Sequence, residues 1–176
     1  MTVAARLIVL VCCVALAACG ERPAEEQAAA PEPTAASEAA GATSGVGEIS
    51  ADLSTKPTIP KPTGEPPTEL QTKDIVVGTG PAAKAGDTVQ MEYVGTSWST
   101  GQQFDASWDS GQPFTFQLGS GNVIAGWDQG IVGMKQGGRR LLVIPPDLGY
   151  GAEGAGGGAI APNETLVFVV DLKRIQ

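Results

Sequence analysis

The chain has 176 residues, a formal net charge of -8 and a pI near 4.4, a balance that argues against a polyanionic partner such as nucleic acid. It has no histidine, and its three cysteines, Cys12, Cys13 and Cys19, all fall within the first twenty positions. The rest of the chain therefore cannot hold a Ser-His triad, an imidazole metal site, a thiol nucleophile or a disulfide.

Arg6 is the only charged side chain before an apolar run over residues 7–18. About twelve apolar residues are too few to span a bilayer, which takes ~20, but they suit the core of a secretory signal peptide. The end of the run, Leu16-Ala17-Ala18-Cys19, resembles a bacterial lipobox. That resemblance implies a signal peptide over 1–18, cleavage before Cys19, acylation of Cys19 and an extracytoplasmic protein anchored to a cell-envelope membrane. Two or three acyl chains, at ~0.8 kcal/mol per buried CH₂, make a durable anchor. The plainer alternative is cleavage after Ala17 and release of a soluble protein. Gly20, after the cysteine, leaves open which membrane holds the anchor.

Residues 19–68 read as a lipidated cysteine followed by a disordered linker. Positions 20–68 contain eight prolines, no aromatic residue, eight acidic and three basic side chains. Such a composition offers little apolar surface to offset ordering entropy, and its second half leans towards extended polyproline II. The aromatic residues all lie between Tyr93 and Phe168, so the folded domain is placed at 69–176.

Within that domain, Asp74-Ile75-Val76-Val77 predicts a strand ending at a Gly-Pro turn. Val89, Met91 and Tyr93 alternate with polar residues, a second strand. Two more are expected at residues 103–107 and 113–118, the latter with Phe114 and Phe116 on one face. Ile124, Trp127 and Ile131 have the i, i+3, i+7 spacing of a short amphipathic helix. Gly126 and Gly130 each weaken that helix by roughly 1 kcal/mol relative to Ala, which predicts close approach of another backbone or side chain. Strands are expected again at 139–144 and 165–174, either side of a Gly-rich loop at 149–158. Arg139 is read as a solvated strand position and Arg140 as a salt-bridge partner. The pattern predicts an α+β domain of mainly antiparallel strands around one helix.

Seven pieces in order, Tyr93-Val94-Gly95, Phe104-Asp105-Ala106-Ser107, Pro113-Phe114-Thr115-Phe116, Val123-Ile124-Ala125-Gly126-Trp127, Ile144-Pro145-Pro146-Asp147, Gly149-Tyr150-Gly151 and Thr165-Leu166-Val167-Phe168, resemble the FK506-binding-protein (FKBP) type of peptidyl-prolyl cis-trans isomerase. The resemblance spans about residues 86–172. It implies a five- or six-stranded antiparallel, twisted sheet curled around a short helix, no cofactor and no metal. Proline-containing polypeptides are the implied partners, FK506- or rapamycin-like macrolides the implied ligands, and a monomer the implied state. By the same resemblance Tyr93, Phe104, Phe114, Val123, Ile160 and Phe168 line the substrate cleft. Trp127 is the platform for the prolyl ring; the Ile124 N–H and the Tyr150 hydroxyl bond ligand carbonyls; Asp105 is the acidic member.

The residues alone also allow plainer roles. Trp127 and the phenylalanines could fill a core, and Asp105 could serve only a hydrogen bond to Tyr93. One departure stands out: where many relatives carry an Arg able to pair with the cleft carboxylate, this chain has Ser110. The implied reaction suits the composition, because twisting an X-Pro amide over its ~18–20 kcal/mol barrier breaks no covalent bond. The alternative function is a module or chaperone that binds proline-containing segments without catalysis.

Overall fold

In the computed structural model, residues 45–176 are described; the expected signal segment 1–18, Cys19 and the expected linker up to residue 44 lie outside them. Six strands form: β1 (Gln71–Val76), β2 (Thr88–Ser97), β3 (Gln103–Ala106), β4 (Phe114–Gln117), β5 (Arg139–Ile144) and β6 (Leu166–Ile175). All pair antiparallel in one sheet of order β1-β5-β6-β2-β3, with β4 also on β2. Two helices interrupt them, α1 (Ser107–Ser110) and α2 (Ala125–Gly130). This is the expected α+β architecture.

The period-2 alternation divides the strands between two cores. Val89 and Met91 of β2, Leu142 and Ile144 of β5, and Leu166, Phe168, Val170 and Leu172 of β6 join Trp127 and Ile131 in one cluster. The glycines of α2 are explained by that packing. A Cβ on Gly126 would stand 2.4 Å from Ile144 Cγ2, and one on Gly130 2.8 Å from Leu142 Cδ2. Helix and sheet approach more closely than alanine allows.

The opposite face is not bare. Val94, Leu141, Val143, Val167 and Val169 form a second cluster with Trp98, and residues 45–66 cover it by way of Ile49 and Ile59. This strap is closed on itself by a hydrogen bond from Thr63 N–H to the Gly45 carbonyl, 2.8 Å. Arg139 holds it from beneath. Its side chain is 0% exposed, and it donates from Nε and Nη2 to both Asp171 oxygens at 2.6 and 2.7 Å. It also donates to the carbonyls of Ser50 (2.7 Å) and Thr55 (3.1 Å). Lys56 pairs with Asp109 at 2.6 Å, and Trp98 Nε1 donates to the Gly64 carbonyl at 3.4 Å.

Two sequence expectations are corrected here. The disordered linker does not extend to residue 68, because residues 45–66 pack on the sheet, and Arg139 is a buried clamp rather than a solvated residue. The strap's own apolar side chains are sparse, and the stabilising surface is supplied by the sheet beneath. Arg140 does pair, with Asp74 at 2.6 Å.

Candidate active site

At the mouth between the sheet and α2 lies a cavity of about 260 Å³ lined by aromatic and aliphatic side chains. Its base is Trp127, 4% exposed. Tyr93 and Phe168 meet this indole edge-on at centroid distances of 5.1 and 5.3 Å, and Phe116 (5.6 Å) and Phe114 (6.1 Å) complete the enclosure. Such aromatic pairs add about 0.5–1.5 kcal/mol each beyond burial. The indole is thus locked in one orientation. Its Nε1–H is buried and has no acceptor among the described residues, so it is held by packing and not by a hydrogen bond.

Phe104 and Phe168 form the next wall, 5.5 Å apart and nearly perpendicular. They close over Gly95, where a Cβ would stand 2.6 Å from Phe168 Cε1 and 2.8 Å from Phe104 Cζ. Only glycine lets both rings reach the cavity. The β2–β3 register slips between Gly95 and Thr96, a bulge of the kind that re-aims neighbouring side chains, and Asp105 sits beside it, opposite Gly95.

Asp105 is the sole charged residue of the lining. Tyr93 Oη donates to its Oδ2 at 2.6 Å, and no Lys or Arg among the described residues forms an ion pair with it. Ser110 turns back on α1, donating to the Ser107 carbonyl at 2.8 Å. Ser107 in turn accepts from Tyr93 N–H at 2.8 Å and donates to the buried Glu92 carboxylate. The two sequence accounts of Asp105 are compatible: it bonds Tyr93 and also faces the cavity.

Ile124 caps α2 with extended backbone. Its carbonyl accepts from Trp127 N–H at 2.9 Å, while its own N–H has no acceptor among the described residues, the usual state of the first donors of a helix. Val123 lines the cavity beside it, as does Tyr150, which is 41% exposed. Ile160 does not reach the lining. It is 6% exposed, in the core behind, bridged to Ala155. Its apolar character was legible in the sequence, but its depth was not. Two residues were missed. Asn122 lines the cavity, and Asp128 pins the preceding loop by accepting from Gly119 and Gly121 N–H at 2.8 and 3.0 Å. An Asp two turns of chain downstream of a Gly-Ser-Gly loop was the available signal. Among the described residues no acidic cluster is arranged to hold a metal ion.

Burial, the hydrogen bond to Asp105 and that carboxylate's charge push the Tyr93 hydroxyl well above its usual value of 10.0. Burial and then Asp105 raise Tyr150 as well. The fold thus favours the neutral phenols. Their contribution is fully present below pH ~10 and is lost as pH rises above it, because the unfolded chain then releases protons that the folded one retains. Urea midpoints measured from pH 8.5 to 11.5 are expected to fall above about pH 10, with a shallower fall in Tyr93→Phe. Identical slopes in the two proteins would contradict this.

The sequence model of the family described as FKBP-type peptidyl-prolyl cis-trans isomerase matches residues 80–173. An FK506-binding protein of Streptomyces anulatus is 62% identical over 120 residues, covering 68% of this chain and 97% of the relative. A probable FK506-binding protein of Corynebacterium glutamicum is 49% identical over 117 residues, covering 66% of this chain and 96% of the relative. The crystal structure of a peptidyl-prolyl cis-trans isomerase from Pseudomonas syringae pv. tomato is similar with a TM-score of 0.54 and 39% identity, covering 61% of this chain and 75% of that one.

Proposed function

The chain belongs to the FKBP-type peptidyl-prolyl cis-trans isomerase family, and from that premise we propose that the Trp127 cavity is where the X-Pro bond turns. The observation that supports this best is the cavity's make-up: rigid aromatic walls, one carboxylate, and unused donors at two edges. The prolyl ring lies on the Trp127 indole. The Ile124 N–H and the Tyr150 hydroxyl hold carbonyls flanking the ring, so that only the X-Pro torsion is free. The planar amide owes its barrier to a charge-separated resonance form, which an apolar cavity solvates poorly; the twisted amide loses less on entry. Each ~1.4 kcal/mol of preference for the twisted state gives tenfold in rate. Tyr93 and Asp105 orient the carbonyl that swings. FK506-like macrolides would compete for the same cavity.

Replacing Tyr150 with Phe removes one hydrogen bond, worth about 0.5–1.5 kcal/mol. It is expected to raise KM for an X-Pro peptide roughly two- to tenfold with the fold intact. An unchanged KM, measured by exchange spectroscopy over a substrate series, would remove Tyr150 from the site.

We place this activity in the folding of secreted or envelope proteins. Support comes from the lipobox-like Leu16-Ala17-Ala18-Cys19 after an apolar run, which in this reading anchors a monomeric domain outside the cytoplasm. The tether excludes residues 45–66, which belong to the folded unit. Cys19→Ala is expected to move the protein from the membrane to the soluble fraction. Unchanged fractionation would end the anchor reading.

A further inference from the structure

We infer that Ser107, oriented by Glu92, is a positioning residue for the cleft: it clips the end of β3 to β2 and so fixes the Tyr93–Asp105 pair. The inference rests on reading the Trp127 cavity as the isomerase site. β3 is four residues long and lies at the edge of the sheet, and its pairing with β2 slips between Gly95 and Thr96. Few backbone bonds are therefore left to hold Asp105. One residue beyond β3 the chain turns into α1, and Ala106 gives that helix no side-chain cap. A helix of four residues is not stable by itself, so it cannot anchor the strand end.

A side chain closes the rung that the backbone leaves open. Tyr93 N–H donates to Ser107 Oγ at 2.8 Å, and the Ser107 hydroxyl donates to Glu92. Tyr93 thus grips residues 105–107 at both ends, by its amide at Ser107 and by its phenol at Asp105 Oδ2, 2.6 Å away. A hydroxyl has one proton to give, and a carboxylate only accepts. The bond to Glu92 therefore turns the Ser107 lone pairs towards the Tyr93 amide. Glu92 stands opposite Asp171 in the β2–β6 register, but Arg139 is engaged by Asp171. Ser107 is the sole donor to Glu92 among the described residues. Both partners are buried, so water does not readily replace a lost bond. The other side-chain ties of α1, from Lys56 and Gln103 to Asp109, are exposed.

The test measures kcat and KM for one X-Pro peptide with the full chain and its variants. Ser107→Ala is expected to lower kcat roughly three- to tenfold, the span of one lost hydrogen bond. KM should stay within about twofold, because Ser107 does not line the cavity. In Tyr93→Phe no phenol remains to be aligned, and there Ser107→Ala should cost less than about twofold more. A merely structural role would give the same factor in both backgrounds. Glu92→Gln keeps the shape and one acceptor oxygen but adds a competing donor, so roughly a two- to threefold loss is expected, again only with the phenol present. Unchanged kcat in a folded Ser107→Ala protein, or an equal loss with and without the phenol, would overturn the inference. Should Ser107→Ala not fold, the same two outcomes in Glu92→Gln decide it. A natural protein that fails to accelerate exchange would overturn the isomerase site itself, a result distinct from equal acceleration by the natural protein and Ser107→Ala.

Discussion

Arg139→Leu is expected to lower the unfolding free energy by about 3–5 kcal/mol, because it leaves the Asp171 carboxylate buried without a partner. The guanidinium has no exposure to water, so solvent does not screen the loss. Two strap carbonyls, those of Ser50 and Thr55, lose their donors at the same time. Against a total of about 5–15 kcal/mol for a domain, this is a large fraction. Urea unfolding gives the number, and amide hydrogen exchange locates it: protection should fall most in residues 46–60. In the double variant Arg139→Leu/Asp171→Leu the charge is removed with its partner, and much of the loss should be recovered. A single-variant loss under about 1 kcal/mol, the range of exposed ion pairs, would show that the strap is not held by this clamp.

Trp127→Ala is expected to reduce kcat/KM at least tenfold, each decade corresponding to ~1.4 kcal/mol of lost transition-state binding. In the proposed reaction the indole supplies the floor against which the ring is oriented, and four aromatic neighbours fix its plane. Removing it also opens a core cavity at a cost of about 3–5 kcal/mol, so the fold must be checked separately by unfolding curves. In Trp127→Phe most of the volume stays and no hydrogen bond is lost, since Nε1 has no acceptor among the described residues. That variant should be more stable than the Ala variant while still losing activity. Full activity in a folded Trp127→Ala protein would mean that the indole is core filler.

The strands and α2 were legible because their signals are local. Period-2 alternation placed β2, a continuous apolar run placed β6, and two glycines in a short apolar helix announced the close approach to Ile144 and Leu142. The cleft residues followed from motif order, and nine of them do meet at one cavity with Asp105 among them. What failed was non-local. The strap carries little apolar surface itself, yet Leu166, Val167, Phe168, Val169 and Val170 are apolar at every position, the mark of a strand covered on both faces. That run is the local sign of a cover such as residues 45–66. The short helix α1 escaped because four residues give no periodicity. Ile160 escaped because an apolar residue in a loop reads the same whether it lines a cavity or backs it.

The role proposed for the cavity is rotation of the X-Pro bond on the Trp127 floor. The most direct measurement is two-dimensional exchange of a proline-containing peptide with the intact protein at micromolar concentration, alongside Trp127→Ala. Faster cis/trans exchange is expected with the natural protein, and at least a tenfold weaker effect with the variant. Peptide binding without faster exchange, or equal acceleration by both proteins, would contradict it.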